Sequence, residues 1–191
     1  MNWLPPYNYI LASKSPRRHE LLKILGIDFQ VKLKEIEEVF PEGLSKEEIP
    51  VYLVELKAKQ FLEELDNNDM LITADTIVWF NGQVLGKPEN YDKARAMLEM
   101  LSNNKHQVIS GVCLTTAKKQ VSFFAVSNVW FKPLSNAEIE YYITNFKPFD
   151  KAGAYGIQEW IGATGITHIE GSFYNVMGLP IQRLYEEIIK F

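Results

Sequence analysis

Cysteine is almost missing from this chain. Cys113 stands alone, so no internal disulfide can form and a reducing compartment is the simpler expectation. Long apolar runs are missing too: no stretch reaches the roughly 18 apolar residues of a spanning helix. The start, MNWLPPYNYILAS, lacks a basic segment followed by an apolar one, so no secretory leader is expected. Together these point to a cytoplasmic protein that neither crosses nor coats a membrane. Basic charge is not in excess, with 20 Lys+Arg against 24 Asp+Glu and a formal net charge of −4. That argues against a nucleic-acid polymer as partner, because such binders carry a basic footprint. There is no Walker A lysine motif, so a P-loop is excluded. No G-x-S-x-G elbow surrounds any serine, which disfavours a serine hydrolase. His19, His106 and His168 lie too far apart for metal-ligand spacing and read as structural or exposed.

What is present is enough for a large core: 47% of the 191 residues are apolar and 13% aromatic, which argues against disorder. YNYILAS reads as a first strand. Pro16 opens a helix through RRHELLKIL, with Gly26 as its stop. FQVKL alternates like a half-exposed strand. Ser45, with Glu48 three residues on, predicts a capping box and a long helix from about Lys46 to Leu65. MLITADTIVWF is a strongly apolar strand, and NGQ turns the chain into VLGKP. YDKARAMLEML is a short helix. HQVISGVCLTT and QVSFFAVSNVWF form a pair of long strands joined at AKKQ. Ser135 or Asn136 caps the helix in SNAEIEYYITNF. From Asp150 to Pro180 the expectation is a Gly-rich loop region with short strands, and Pro180 starts a final helix. Interleaved helices and strands with one antiparallel pair imply an α/β fold with a mixed sheet. No linker or internal repeat breaks the chain, so residues 1–191 read as a single domain with two lobes around a cleft.

Six places along the chain carry candidate chemistry. In LASKSPRR, Ser13 and Ser15 face one way on an extended chain and Lys14 the other. Ser15 suits an N-cap with Pro16 at the first helical position. The free N–H groups of the first turn, with Arg17 and Arg18 beside them, would trap an anion. A capped helix with two solvated arginines is the competing reading. Asp75 lies inside an apolar strand, where a carboxylate is costly unless paired, hydrogen-bonded or metal-bound. A structural salt bridge competes with a functional acid facing a cleft. Lys57 falls on the apolar stripe Leu53, Lys57, Phe61 of its helix and either snorkels or enters a site. Lys87 sits in the LGKP turn, where a solvated lysine is the default. Glu37 and Glu38, a loop pair, could join Asp75 as oxygen ligands for Mg²⁺. In DKAGAYGIQ, small residues allow close approach to a flat ligand. The amide of Gln158 can read part of a uracil or thymine edge.

These motifs, with KA at Lys57–Ala58, ADT ending at Thr76, GKP ending at Pro88 and NVMGLP at Asn175–Pro180, resemble the Maf family of nucleoside triphosphate pyrophosphatases. They occur in family order and cover nearly the whole chain. The resemblance implies an elongated mixed sheet flanked by helices, related to inosine triphosphate pyrophosphatases. It implies hydrolysis of a nucleotide between its α and β phosphates with a divalent cation, Mg²⁺ or Mn²⁺, and a small-molecule nucleotide as partner. It further implies that Asp75 is the proton acceptor, that Ser13, Arg18, Glu38, Lys57 and Lys87 line the phosphate and metal site, and that Arg17, Thr76 and Gln158 set the substrate branch. The last three identities look like the dTTP/UTP branch. A homodimer is an expectation from the resemblance alone. So is the alternative reading, a nucleotide-binding module acting in septum formation without relevant catalysis. The chain departs from the family pattern at Thr73, Glu55, Ser110 and Ser172, none of which is an expected catalytic group.

Overall fold

The computed structural model describes residues 4–191, so Met1, Asn2 and Trp3 of the expected leader-free start lie outside the described residues. Seven strands form one mixed sheet in the order β2-β1-β3-β5-β6-β7, with β4 pairing on β3. The strands are β1 (Asn8–Leu11), β2 (Phe29–Val31), β3 (Asp69–Phe80), β4 (Gln83–Leu85), β5 (Lys105–Thr115), β6 (Gln120–Phe131) and β7 (Ile166–Glu170). The helices are α1 (Pro16–Ile24), α2 (Glu48–Lys59), α3 (Tyr91–Leu101), α4 (Asn136–Phe146), α5 (Trp160–Gly165), α6 (Phe173–Met177) and α7 (Ile181–Ile189). The chain divides into two compact units, one of Met1–Asp75, Ser110–Ala125 and Gly178–Phe191, the other of Thr76–Ile109 and Val126–Met177. Strands β3, β5 and β6 each give residues to both.

In the first unit, β1 runs parallel to both β2 and β3, with Leu11 opposite Val31 and Ile72. That pairing requires crossovers, which α1 and α2 supply. Helix α2 begins later than the capping box predicts, at Glu48, and stops at Lys59, followed by a 3₁₀ turn over Leu62–Glu64. Half of the box is made: the Glu48 carboxylate accepts the Ser45 N–H at 2.8 Å, a bond that lowers the Glu48 pKa. Pro50 is tolerated because it falls in the first turn, where its missing N–H has no intrahelical partner. The buried face of α2 brings Val54 and Ala58 against Ile10, Leu71 and Cys113. Its approach to β5 is close: a Cβ at Gly111 would stand 2.5 Å from the Pro50 carbonyl oxygen.

In the second unit, β4 folds back antiparallel on β3 through Asn81 and Gly82, both at positive φ (47° and 81°), which is the Asn-Gly hairpin turn. Strand β7 pairs antiparallel with β6, with a bulge at Trp130 and Phe131. The core is Val78, Leu98, Val108, Phe131, Ile139, Tyr142, Tyr155 and Ile161 with their neighbours. Ser135 caps α4 with a complete capping box to Glu138. The stretch from Asp150 to Pro180 departs from the expected loop with short strands: it holds two short helices and a single strand. Gly153, Gly171 and Gly178 adopt positive φ, whereas Gly162 and Gly165 serve close packing. A Cβ at Gly162 would fall 1.8 Å from the Ile157 carbonyl oxygen, and one at Gly165 about 3.1 Å from Leu134.

Candidate active site

The N-terminal motif becomes the end of β1 and the first turn of α1. Ser15 occupies the N-cap position with Pro16 following, but its side chain makes no capping bond. Instead the Ser13 hydroxyl accepts the Ser15 N–H at 3.2 Å, a local hydroxyl turn that fixes the chain just before the helix without capping its first turn. Ser13 is buried and Lys14 exposed, as the alternation predicts, with Lys14 reaching Glu35 at 3.4 Å. His19, read as structural, closes the turn by a 2.7 Å bond between Nε2 and the Ser13 carbonyl.

The two arginines part company, as residues about 100° apart on a helix must. Arg18 turns into the protein: Nη1 donates to the Ala74 carbonyl at 2.7 Å and reaches Ser13 Oγ at 3.5 Å, while Nε donates to the Gly178 carbonyl at 2.9 Å. Its guanidinium is thereby held at the residue before Asp75. Desolvation lowers the Arg18 pKa; Asp75 and Glu38 oppose the fall and Arg17 adds to it. Arg17 is half-buried beside it.

Asp75 and Lys57 meet at this point. Lys57 Nζ lies 2.6 Å from Asp75 Oδ1 and 2.7 Å from Glu38 Oε1. The Lys57 and Asp75 side chains are only 13% and 12% exposed, whereas Glu38 is 48% exposed. The apolar stripe of α2 thus buries the lysine stem and delivers its head to β3. A 2.8 Å bond from Thr73 Oγ1 to the Val54 carbonyl ties the same helix to the same strand. Of the acidic loop pair, only Glu38 is placed on Lys57. The structure therefore brings Ser13, Arg18, Glu38, Lys57 and Asp75 into one cluster of alternating charge within the first unit. Two carboxylates within reach of one ammonium are a hard-oxygen pair, the donor type Mg²⁺ takes when phosphate oxygens complete its shell. Among the described residues no group of three or more His, Cys, Asp or Glu side chains gathers.

Thr76, Lys87 and Gln158 belong to the second unit. Thr76 is half-buried on β3, and Lys87 and Gln158 are exposed. The Lys87 turn and the Gly-rich loop are neighbours there, joined by the Gly153 N–H on the Gly86 carbonyl at 3.1 Å. Buried polar groups the sequence reading did not single out also lie in this unit. Lys151, 9% exposed, bonds Asp150 at 2.7 Å and Glu159 at 3.1 Å. Tyr142 donates to Glu159. The signal was available: a tyrosine on the buried face of a helix needs a partner for its hydroxyl.

A family profile described as Maf-like protein matches residues 8–191. The chain belongs to the Maf family. Among relatives of this Maf chain, a dTTP/UTP pyrophosphatase of Phocaeicola vulgatus is 56% identical over 98% of this chain and 97% of its own length. A dTTP/UTP pyrophosphatase of Bacteroides thetaiotaomicron is 53% identical over the same shares, and one of Parabacteroides distasonis 50% identical over 98% of each chain. Among solved structures, the Ham1 protein of Staphylococcus aureus matches 65% of this Maf chain and 71% of its own at a TM-score of 0.44 and 16% identity.

Proposed function

We propose that this chain is a nucleoside triphosphate pyrophosphatase that converts dTTP and UTP to the monophosphate and pyrophosphate, a house-cleaning hydrolase. Two lines support the reading: near-full-length relatives carry that name, and one cluster joins Arg18, Lys57, Glu38 and Asp75. The observation that carries it is Lys57 held between two carboxylates beside a fixed arginine. Cations there would neutralise a triphosphate while an acid stands ready for a proton. Such transfers need positioning and charge neutralisation more than covalent chemistry.

In this mechanism Ser13, Arg18 and the first turn of α1 hold phosphate oxygens, and Lys57 and Lys87 neutralise further charge. Asp75 takes a proton from the water whose oxygen bonds to a phosphorus of the α–β anhydride. The bond from that phosphorus to the bridging oxygen breaks as the new bond forms, and the anhydride separates into monophosphate and pyrophosphate. Glu38 and Asp75 would hold a divalent cation, Mg²⁺ or Mn²⁺, which supplies charge neutralisation and lowers the pKa of bound water. Arg17, Thr76 and Gln158 select the pyrimidine. The reading carries with it a cytoplasmic place of work and, from the family resemblance, a homodimer. Among the described residues no helix is long and apolar enough to cross a membrane.

Pyrophosphate release from dTTP, UTP, CTP and GTP, with and without Mg²⁺, tests the proposal. Mg²⁺-dependent release from dTTP and UTP in preference to the others is expected. Tight nucleotide binding without turnover would overturn it in favour of a binding module.

A further inference from the structure

Gln158 is an exposed residue on a turn, and exposed turns are ordinarily mobile. This turn is not left to itself. The Tyr142 hydroxyl accepts the Gly156 N–H at 3.0 Å and donates to Glu159 Oε2. The Glu159 N–H donates to the Gly156 carbonyl at 3.0 Å, and Lys151 Nζ stands 3.1 Å from Glu159 Oε1. The residues on both sides of the Ile157–Gln158 pair are therefore locked to one another and to the body of α4. The lock is close: a Cβ at Gly156 would lie 2.8 Å from the Glu159 carboxyl carbon, so a larger residue there would have to displace that carboxylate. Tyr142 is itself fully buried and stacked on Phe146 with ring centroids 5.2 Å apart. Desolvation, then Glu159, push its pKa up, so the hydroxyl keeps the proton it donates.

We propose that Tyr142, Glu159 and Lys151 are positioning residues that hold the Gln158 amide for recognition of the pyrimidine edge. The inference rests on the proposed function, because it takes Gln158 as a base-reading residue. A clamp of this kind cuts the ordering cost of binding rather than adding contacts. It predicts an effect on substrate binding and base choice, with the chemical step left alone.

Tyr142→Phe keeps the ring and removes only the bridging hydroxyl. Its KM for UTP should rise about fivefold to tenfold, the loss of one well-made hydrogen bond, while kcat stays within about twofold. Preference for UTP over CTP should fall with it, and Glu159→Gln should move both values the same way. Hydrogen exchange at the Gly156 amide should quicken in Tyr142→Phe. The decisive comparison is with Gln158→Ala: once Gln158 is truncated, Tyr142→Phe should change UTP/CTP preference no further. If the two substitutions instead multiply, or if the Tyr142→Phe loss falls on kcat alone, the clamp has no part in base choice and the inference is overturned. A wild-type protein inert toward UTP and dTTP would overturn the proposed function, and the clamp's role with it. That result is distinct from an active enzyme whose Tyr142 and Gln158 act independently.

Discussion

Lys57 Nζ is shared between Asp75 Oδ1 and Glu38 Oε1 at 2.6 and 2.7 Å. A single ammonium on α2 thus balances one acid from the middle of a buried strand and another from a long loop. The Asp75 side chain is 12% exposed and the Glu38 side chain 48% exposed, so the buried acid depends more on this shared partner.

Asp75→Asn should remove the proposed proton acceptor while keeping a hydrogen-bond acceptor for Lys57. We expect kcat for UTP to fall at least about 100-fold, the lower end of what a positioned general base contributes, with the thermal midpoint near that of the wild type. Full turnover in this variant, measured by pyrophosphate release, would end the assignment.

Glu38→Gln tests the carboxylate pair. Half-maximal activity should require about tenfold more Mg²⁺, in line with the loss of one ionic oxygen donor. Chelation with EDTA should abolish turnover and Mg²⁺ should restore it. A Mg²⁺ titration of the two proteins side by side checks both outcomes, and an unchanged metal requirement would place Glu38 outside the site.

Gly111→Ala probes the support beneath Lys57. The new Cβ would fall 2.5 Å from the Pro50 carbonyl oxygen and 2.8 Å from the Val51 nitrogen, both backbone atoms. Neither can rotate away, so α2 must shift. A loss of roughly 1–3 kcal/mol is expected, the usual penalty of overpacking, together with reduced activity because α2 carries Lys57. Urea unfolding and UTP turnover measure the two effects.

His106 governs part of the acid response. It is buried, its Nε2 lies 2.7 Å from the Tyr155 hydroxyl, and desolvation drops its pKa to about 3. The folded protein therefore excludes a proton that the unfolded chain takes up near pH 6.5. Stability is fully present above about pH 6.5 and falls as pH drops toward 3, by about 1.4 kcal/mol per pH unit from this residue. His106→Gln should flatten that slope by one proton. An NMR titration showing the His106 ring protonated at pH 5 in the native state would refute the prediction.

The local signals were legible because they act over a few residues. Pro16, Gly26, Ser135 with Glu138, and Asn81–Gly82 each end or start an element where the residue type demands it. The apolar run around Asp75 marked β3, and the stripe on α2 marked Lys57 as half-buried. What escaped was set by distant partners. The stretch from Asp150 to Pro180 reads as loop because glycine lowers helix propensity. Contact with Ile157 and Leu134 nevertheless makes Gly162 and Gly165 part of a packed helix. Ser15 looked like the capping side chain, yet its own N–H is taken by Ser13. The Tyr142–Glu159 bond escaped too, because nothing within the helix names Glu159 as partner.

By itself the sequence determined the α/β class, the order of nearly every element and the family, together with the residue types a triphosphate would need. Those follow from periodicity, turn chemistry and motif order, which are written along the chain. Only the tertiary structure decided that Glu38 joins Lys57, that Arg18 is held on the Ala74 carbonyl next to Asp75, and that the Gln158 turn is clamped from α4. Each of these pairs groups that lie far apart in sequence, and which of two adjacent side chains reaches its partner depends on the backbone path that folding sets.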